Sequence, residues 1–559
     1  MGIFRWTGNP FVDTGLIVIL HLTNKNDISE LSYDDVVRVF NDGKDLARMN
    51  AKLKTFTMVF GRNGPLTNGY GYKQGTPSEK NYQIYISLVK GLLNASQAED
   101  GGGYICEICG RNTNFDFANL YEQVLSKAGE KTKEGKVLGR DWFPLSGSLG
   151  SDAQALPSAS RAMHICPACL FSVHYLPVAL ILFGGKVAVF QSTSQSLTID
   201  LVTAIVDDTI ARLRAGNGEA IGKKEGTKVL TSRLLNLIEK LQKERKRENL
   251  PDYSNLLVWK FSNSGTGADC KLEEIPNKAL MFLWEVVHFG LRQEIDKLLA
   301  NEPKYPRFQL LTAIKEGKDY GNKKFGGLYP FKKNQGVTPE LFVLYQLKIC
   351  RISKSALQIA QKIALKYINS LDDKAKKNVK SEIFRDNSNT NRVRRLMADM
   401  AESGELSYDD YTQLFVEISR HPIKVDWNGW DMIRFFLYHP EETEWKQKFN
   451  KIEEGGNQVK PHPLIKQASG LYFDDYVARR GLERFSRDIL EGFKRGVLKR
   501  KWLEGVFLRL AEKGREEFNV ENWDEFCCDE EGNPVLHELL FQMRLNLANL
   551  YGQKIKEEK

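Results

Sequence analysis

The sequence CEICG at residues 106–110 imposes the strongest single constraint on how this chain folds. A second cysteine pair, in the sequence CPAC at residues 166–169, follows 56 residues later. A glycine after the first pair lets a tight turn present backbone N–H groups to the sulfur atoms. Two such turns supply the four thiolates of a tetrahedral site that clips a long insertion in place. The predicted ligands of a structural Zn²⁺ are Cys106, Cys109, Cys166 and Cys169.

Other interpretations of the four cysteines stay open. They could be a pair of redox Cys-x-x-Cys motifs, although no βαβ unit surrounds them, or ligands that have lost their metal. His164, two residues before Cys166, is a less favoured ligand. A catalytic zinc needs an open coordination position, and the His-x-Glu motif of the zinc deaminases is missing.

Length and composition limit the remaining possibilities. The chain has 559 residues, of which 42% are hydrophobic, so two to four domains are expected. Its apolar runs fall far short of the roughly 18 to 20 residues that span a bilayer, and no secretory signal is evident, so a cytoplasmic protein without membrane contact is expected. Lysine and arginine exceed the acidic residues by 9, which is compatible with binding nucleic acid. Motifs of phosphate loops, serine hydrolases and zinc peptidases are missing, so no catalytic residue is predicted.

The periodicity of apolar residues predicts an α+β fold. A mixed N-terminal domain at residues 1–260 contains the zinc-binding insertion, at about residues 101–175, and a β-hairpin after it. A mainly α-helical middle region is predicted at residues 261–400, and a C-terminal helical bundle at residues 401–559.

Several local elements are predicted within the N-terminal domain. Gly184-Gly185 joins two β-type runs at residues 178–183 and 186–191, which predicts a hairpin with a two-residue turn. Residues 55–60 are β-branched and aromatic and predict a strand. A helix over residues 16–22 is predicted, with Asp13 or Thr14 as its cap.

Polar loops near the cysteines are candidates for contacting DNA bases. Glycines in the loop at residues 61–71 permit close backbone approach, and the side chains beside them carry hydrogen-bond donors and acceptors. The stretch after the first cysteine pair, whose turn CEICG is called the first knuckle below, has similar chemistry, and so does the Gly- and Ser-rich segment before the second pair. Each could equally be an ordinary surface turn. The candidate DNA-contacting residues are Arg62, Asn63, Asn68, Arg111, Asn112, Asn114 and Gln154.

Two clusters of positive charge lie on predicted helices. Residues 374–395 have a net charge of +6 and residues 484–501 one of +5. Such clusters can follow a phosphate backbone, and the alternative is a solvated helix face. The candidate backbone-contacting residues are Lys376, Lys377, Lys380, Arg392, Arg394, Arg395, Lys494, Arg495, Lys499, Arg500 and Lys501.

Three segments together resemble one family. They are WTGNPFVDTG at residues 6–15, the knuckle CEICG, and ALPSASR at residues 155–161 leading into CPAC. In order and spacing they are similar to the CXXC–CXXC variety of the large subunit of type I-B CRISPR interference complexes, known as Cascade. The resemblance covers the first 190 residues; the remainder agrees in length, basicity and helical character.

The resemblance implies a non-catalytic subunit that reads the protospacer-adjacent motif on target double-stranded DNA, helps to unwind the duplex and steadies the displaced strand of the R-loop. Guide RNA (crRNA) would read the rest of the target by base pairing. Implied partners are the backbone, 5′-handle-binding and small subunits of Cascade, and a recruited helicase–nuclease or transposition proteins. The C-terminal bundle would resemble a Cascade small subunit, and Met397, Met400 and Met432 are possible internal starts for a separate one.

Two further hypotheses remain from the residues alone. The first is a zinc-stabilised nucleic-acid-processing enzyme, such as a nuclease with carboxylates gathered from separate segments. The second is a scaffold that contacts only protein, which predicts no salt-dependent binding of DNA.

Overall fold

The computed structural model describes most of the chain, in two compact units. Unit 1 comprises Met1–Leu299 and Lys304–Lys315, and unit 2 comprises Ala300–Pro303 and Glu316–Lys559. The residues described are 3–42, 46–61, 64, 66–67, 77–97, 103–131, 138–146, 163–183, 185–216, 227–243, 249–251, 254–263, 269–303, 305, 307, 309–321, 327–330, 336–382, 388–415, 427–439, 463–494, 497–520, 523–526 and 536–558. The α+β class is confirmed, and the predicted domain boundaries at residues 260 and 400 stay predictions.

Unit 1 combines helices with two small antiparallel sheets. Its helices are α1 (Pro10–Leu22), α2 (Tyr33–Asp42), α3 (Leu46–Lys52), α4 (Lys54–Val59), α5 (Glu79–Ala95), α6 (Phe117–Lys127), α7 (Pro167–Val173), α8 (Gln195–Arg214), α9 (Thr227–Lys243), α10 (Asn277–His288), α11 (Arg292–Ala300) and α12 (Leu310–Glu316). Its strands are β1 (Tyr104–Ile105), β2 (Asn112–Thr113), β3 (Ile181–Phe183), β4 (Lys186–Ser192), β5 (Leu256–Ser262) and β6 (Asp269–Ile275).

The larger sheet has the strand order β3-β4-β5-β6. The predicted hairpin is its first pair: Phe183 lies opposite Lys186, and Gly185 in the turn has a φ of +83°. The first strand is shorter than predicted. Residues Leu176–Ala179 form a 3₁₀ turn, and the fixed φ of Pro177 suits its place at the start of that turn.

Helix α1 is the central helix of unit 1, and it begins earlier than predicted. Asn9 is its N-cap and accepts hydrogen bonds from the N–H groups of Phe11 and Val12. Pro10 occupies the first helical position, where its fixed φ and missing N–H cost nothing. Asp13 therefore lies inside the helix, and α1 packs on α7, α8 and β4.

The predicted strand at residues 55–60 was wrong, because this segment is helix α4. Phe56, Val59 and Phe60 are all buried, and their spacing of three and four places them on one face of a helical turn. Phe56 meets the ring of Tyr85 edge to face at 5.8 Å. Burial of that face outweighs the strand preference of β-branched residues.

All the regular secondary structure in the described residues of unit 2 is helical, as predicted. Its helices are α13 (Pro339–Lys348), α14 (Lys354–Asn369), α15 (Asp373–Glu382), α16 (Ser388–Glu402), α17 (Tyr408–Phe415), α18 (Trp427–Tyr438), α19 (Pro463–Arg480), α20 (Leu482–Phe485), α21 (Glu491–Lys494), α22 (Arg500–Glu512), α23 (Trp523–Phe526) and α24 (Leu536–Glu558), with a π-helical turn at Ser486–Leu490. Helix α24 packs against α16 and α19, and α14 packs against α17 and α18. Among the described helices of both units, none is long and apolar enough to cross a bilayer.

Candidate metal centre

The first cysteine pair lies in a tight hairpin. Strand β1 pairs with β2, and the loop between them carries Cys106 and Cys109. The Cys106 N–H donates to the Arg111 carbonyl (2.7 Å), and the Gly110 N–H donates to the Cys106 carbonyl (2.8 Å). Gly110 has a φ of +69°, which residues with a Cβ rarely adopt. Gly110 therefore allows the tight turn that closes this hairpin, and both of these backbone hydrogen bonds go to carbonyl oxygens.

The second cysteine pair opens a helix instead of a hairpin. Cys166 is the N-cap of α7, Pro167 is its first residue, and Cys169 follows in its first turn. The Cys166 N–H donates to the sulfur of Cys106 at 3.3 Å.

The four sulfur atoms converge on one point in unit 1. They all lie within 4.8 Å of one another, and the sulfurs of Cys109 and Cys166 are 3.6 Å apart. That separation is too long for a disulfide bond and close to the about 3.8 Å between corners of a tetrahedron with 2.3 Å metal–sulfur bonds. Cys106, Cys166 and Cys169 are buried and Cys109 is half-buried. The four cysteines therefore fit a single tetrahedral metal ion.

The cysteine pKa values show why this cluster suits a cation. The pKa of the Cys109 thiol lies far below its ordinary value, because the thiol of Cys106 and then that of Cys166 donate hydrogen bonds to its sulfur. The pKa of the Cys169 thiol lies far above its ordinary value, because its hydrogen bonds to Cys106 and then Cys109 hold the proton. Four thiolates this close repel one another, and the charge of a bound divalent cation offsets this repulsion.

His164 lies beside the cluster and is not one of the four converging groups. Its ring stacks on the ring of Tyr104, with centroids 4.1 Å apart and planes inclined by 10°. Its carbonyl accepts a hydrogen bond from the Glu107 N–H at 2.9 Å, which joins the two cysteine segments next to the sulfurs. The histidine thus supports the knuckle from its outer side.

The segment between the cysteine pairs contains a helix that the sequence pattern missed. Helix α6 is capped by Asp116, whose carboxylate accepts from the N–H groups of Ala118 and Asn119. The ring of Trp142 packs on Phe117 at 4.9 Å and is buried. Buried residues at 117, 121, 124 and 125, spaced as on a helix face, were the signal for it.

A buried polar cluster adjoins Trp142 and also lay outside the sequence-based expectations. The ring of His174 lies between Trp142, at 5.9 Å, and Phe60, at 5.1 Å. Its Nδ1 is 3.0 Å from the hydroxyl of Tyr85, which accepts a hydrogen bond from the Asn50 amide. Burial lowers the pKa of His174 to about 3, so the ring is neutral. This network fixes the insertion to the core of unit 1.

The candidate DNA-contacting residues are placed unevenly. Asn112 and Asn114 are exposed on and just after β2. The guanidinium of Arg111 instead turns inward and donates to the Ile3 carbonyl at 2.8 Å. The candidates that lie outside the described residues are Arg62, Asn63, Asn68 and Gln154.

Some of the candidate cations for contacting a phosphate backbone are exposed, and others contact side chains of unit 2. Those with exposed side chains are Lys376, Arg392, Arg395, Lys499 and Lys501. Arg394 lies over the rings of Trp430 and Phe541, and Arg500 donates to Glu504 at 2.6 Å. Lys377 and Lys380 lie on α15 and Lys494 on α21, but their side chains, and all of Arg495, are outside the described residues.

Residues 99–181 of the chain match the sequence model of a family described as CRISPR-associated protein (Cas_CXXC_CXXC). The matched segment contains both cysteine pairs, the insertion between them, helix α7 and the start of the hairpin. No curated protein and no solved structure matches the chain. The comparison therefore associates the metal-centre segment with CRISPR systems.

Proposed function

We propose that this chain is the large subunit of a type I-B Cascade complex. It recognises the protospacer-adjacent motif on target double-stranded DNA, helps to unwind the duplex and recruits a helicase–nuclease or transposition proteins. It works with crRNA and with the backbone, 5′-handle-binding and small subunits, and it has no catalytic activity of its own. The observation that carries the proposal is the match of residues 99–181 to the CRISPR-associated family.

The exposed face of the knuckle supports contact with DNA. Tyr104 and Ile105 are 54% and 64% exposed on strand β1, and Asn112 is exposed on the paired strand β2. Aromatic faces stack on bases, and asparagine amides hydrogen-bond to base edges. The metal centre would be a structural Zn²⁺ that holds this hairpin rigid, because four cysteine thiolates are the donor set of closed zinc sites.

Exposed cations of unit 2 support contact with a phosphate backbone. Arg392 and Arg395 lie on α16, Lys501 lies on α22, and Lys499 directly precedes α22. Long-range attraction to phosphates needs positive charge at the surface, and each contact contributes to the salt dependence of binding. These residues are therefore proposed to steady the guide–target duplex or the displaced strand.

The proposal is tested by assembling the chain with crRNA and the other subunits and measuring binding to duplexes that carry a randomised flanking motif. We expect a strong preference for some flanks, and we expect Asn112→Ala or Asn114→Ala to reduce that preference about tenfold. Asn26→Ala is the matched control, because Asn26 is also an exposed asparagine of unit 1. Equal binding to every flank by the wild-type complex contradicts the proposal.

The alternative hypotheses give different results in the same preparation. A nuclease with dispersed carboxylates would cut labelled duplex when Mg²⁺ or Mn²⁺ is added without any recruited enzyme. A scaffold that contacts only protein would leave DNA binding by the complex unchanged when the exposed knuckle is mutated.

A further inference from the structure

The segment before α1 is tied directly to the metal centre. Residues 3–9, called the N-terminal strap below, precede the cysteines by about 100 positions in the sequence. The guanidinium of Arg5 donates to the carbonyl of Cys109 at 2.6 Å, and the guanidinium of Arg111 donates to the carbonyl of Ile3 at 2.8 Å. An arginine of the strap therefore donates to the backbone of the first knuckle, and the arginine directly after the knuckle donates to the backbone of the strap.

The strap is also fixed to the core of unit 1. Phe4 is buried, with its ring 6.3 Å from that of Phe171 on α7. The carboxylate of Asp13 accepts hydrogen bonds from the N–H and hydroxyl of Thr7, both at 2.8 Å, and from the N–H of Gly8 at 2.9 Å. Asp13 is buried, and this burial raises its pKa while the hydrogen bonds of Thr7 and Gly8 lower it. The strap is thus held between the metal centre and the first turns of α1.

The charges of the two arginines match what the metal centre requires. A Zn²⁺ ion with four thiolates has a net charge of −2, and a guanidinium is always protonated in proteins. Arg5 and Arg111 line the same cleft as the sulfur-bearing residues Cys109, Cys166 and Cys169. Both arginines are half-buried, so their attraction to the thiolates is screened less than at an open surface.

We propose that Arg5 and Arg111 are positioning residues of the metal centre, and that they couple retention of the metal to the order of the N-terminal strap. Partners outside the ligand shell orient the ligands and tune metal affinity, typically by 10- to 100-fold. Coupling of this kind is reciprocal. Metal binding fixes the strap, and the docked strap slows loss of the metal.

The test uses the zinc-loaded full chain and measures transfer of Zn²⁺ to a competing chelator. We expect Arg5→Gln and Arg111→Gln each to speed up zinc loss about tenfold or more. Arg5→Lys, which keeps the charge but loses the planar fork, is expected to fall between wild type and Arg5→Gln. Arg292→Gln is the matched control: Arg292 is a half-buried arginine of unit 1 that donates to Asp296 on helix α11.

A second measurement needs no substitution and so does not depend on whether a variant folds. Hydrogen exchange of the wild-type chain is compared with and without zinc. We expect the strap amides to lose protection when zinc is removed, while the amides of β4 and β5 keep theirs.

Three results overturn the proposal. They are strap protection that is unchanged by zinc removal, zinc loss from both glutamine variants at the wild-type or Arg292→Gln rate, and a chain that takes up no zinc. The experiment contains no nucleic acid, so its outcome is independent of the proposed function.

Discussion

Gly15 on α1 faces the backbone carbonyl of Ser172 on α7 so closely that a Cβ at residue 15 would overlap the carbonyl oxygen. Backbone atoms cannot rotate away as the end of a side chain can, so the two helices must separate to admit a methyl group. This contact sets the distance between the most buried helix of unit 1 and the helix that carries Cys169.

Gly15→Ala is therefore expected to lower the free energy of unfolding of unit 1 by about 2 to 3 kcal/mol, the cost of overpacking a dense core. Urea denaturation followed by tryptophan fluorescence measures it. Gly470→Ala is the control, because nothing lies within 4 Å of a Cβ at that helical position, and it should stabilise unit 2 slightly. Equal stability of wild type and Gly15→Ala would mean that the two helices are not in this close contact.

His174 predicts a loss of stability in mild acid. Its pKa is lowered from 6.5 to about 3 in the folded chain by burial, so the unfolded chain binds the proton more tightly. The stabilising contribution of the neutral ring is fully present above pH 6.5 and is lost as the pH falls from 6.5 towards 3. Between pH 7 and pH 5 the loss is about 2 kcal/mol.

Urea denaturation of wild type and His174→Gln at both pH values isolates this contribution. Glutamine can still bond to the Tyr85 hydroxyl but does not titrate. We expect the variant to lose about 2 kcal/mol less than wild type between pH 7 and pH 5. The same pH dependence in both proteins would show that His174 is accessible to protons when folded.

Trp142→Ala is expected to release the insertion from the core. The ring is buried against Phe117, Tyr121 and His174, so truncation should cost about 3 to 5 kcal/mol. Hydrogen exchange should show faster exchange in α6, while the amides of β5 change little. Trp142→Phe, which keeps most of the apolar volume, should recover much of the protection; equal exchange in both variants would argue against a packing role for the ring.

Metal removal is expected to weaken DNA recognition without abolishing a chemical step. Cys169→Ser and treatment with a strong chelator should both lower the melting temperature of unit 1 and the affinity of the assembled complex for its target. Calorimetry and DNA binding measure the two effects. Cys270→Ser is the control, because Cys270 is exposed on β6 and is not one of the four clustered cysteines. Unchanged DNA affinity after complete metal loss would separate the metal centre from recognition.

Exposed lysines next to and on α22 are expected to contribute to the salt dependence of DNA binding. Lys499→Gln and Lys501→Gln should each reduce the slope of log K against log salt by about 1, with little change in flank preference. Lys554→Gln is the control, because Lys554 pairs with Glu557 at 3.2 Å. Slopes that match the control would remove these residues from the backbone interface.

The cysteine spacing predicted the convergence of four side chains because knuckle geometry is encoded locally, in the glycine after Cys109 and the proline after Cys166. Hairpin and helix patterns were likewise local and were confirmed in β3, β4 and the helices of unit 2. Helix α4 was missed because its helical state depends on what Phe56 packs against, and this partner is distant in sequence.

The surroundings of the metal centre could not be predicted, because they depend on long-range contacts. Arg111 has the chemistry of a base-reading residue, but its guanidinium bonds to a carbonyl 108 positions earlier in the chain. Arg5 reaches Cys109 across 104 positions. Rules of periodicity and spacing describe residues that are near in sequence, so they cannot predict these two contacts.

The placement of α1 has a consequence for synthesis on the ribosome. The elements that cover most of helix α1, which are α7, β4 and α8, follow it only after residue 166. At about 5 to 20 residues per second, covering its apolar face by α8 takes roughly 10 to 40 s more. During that time a strongly apolar segment stays exposed, so we expect the nascent chain to need chaperones until α8 has been synthesised.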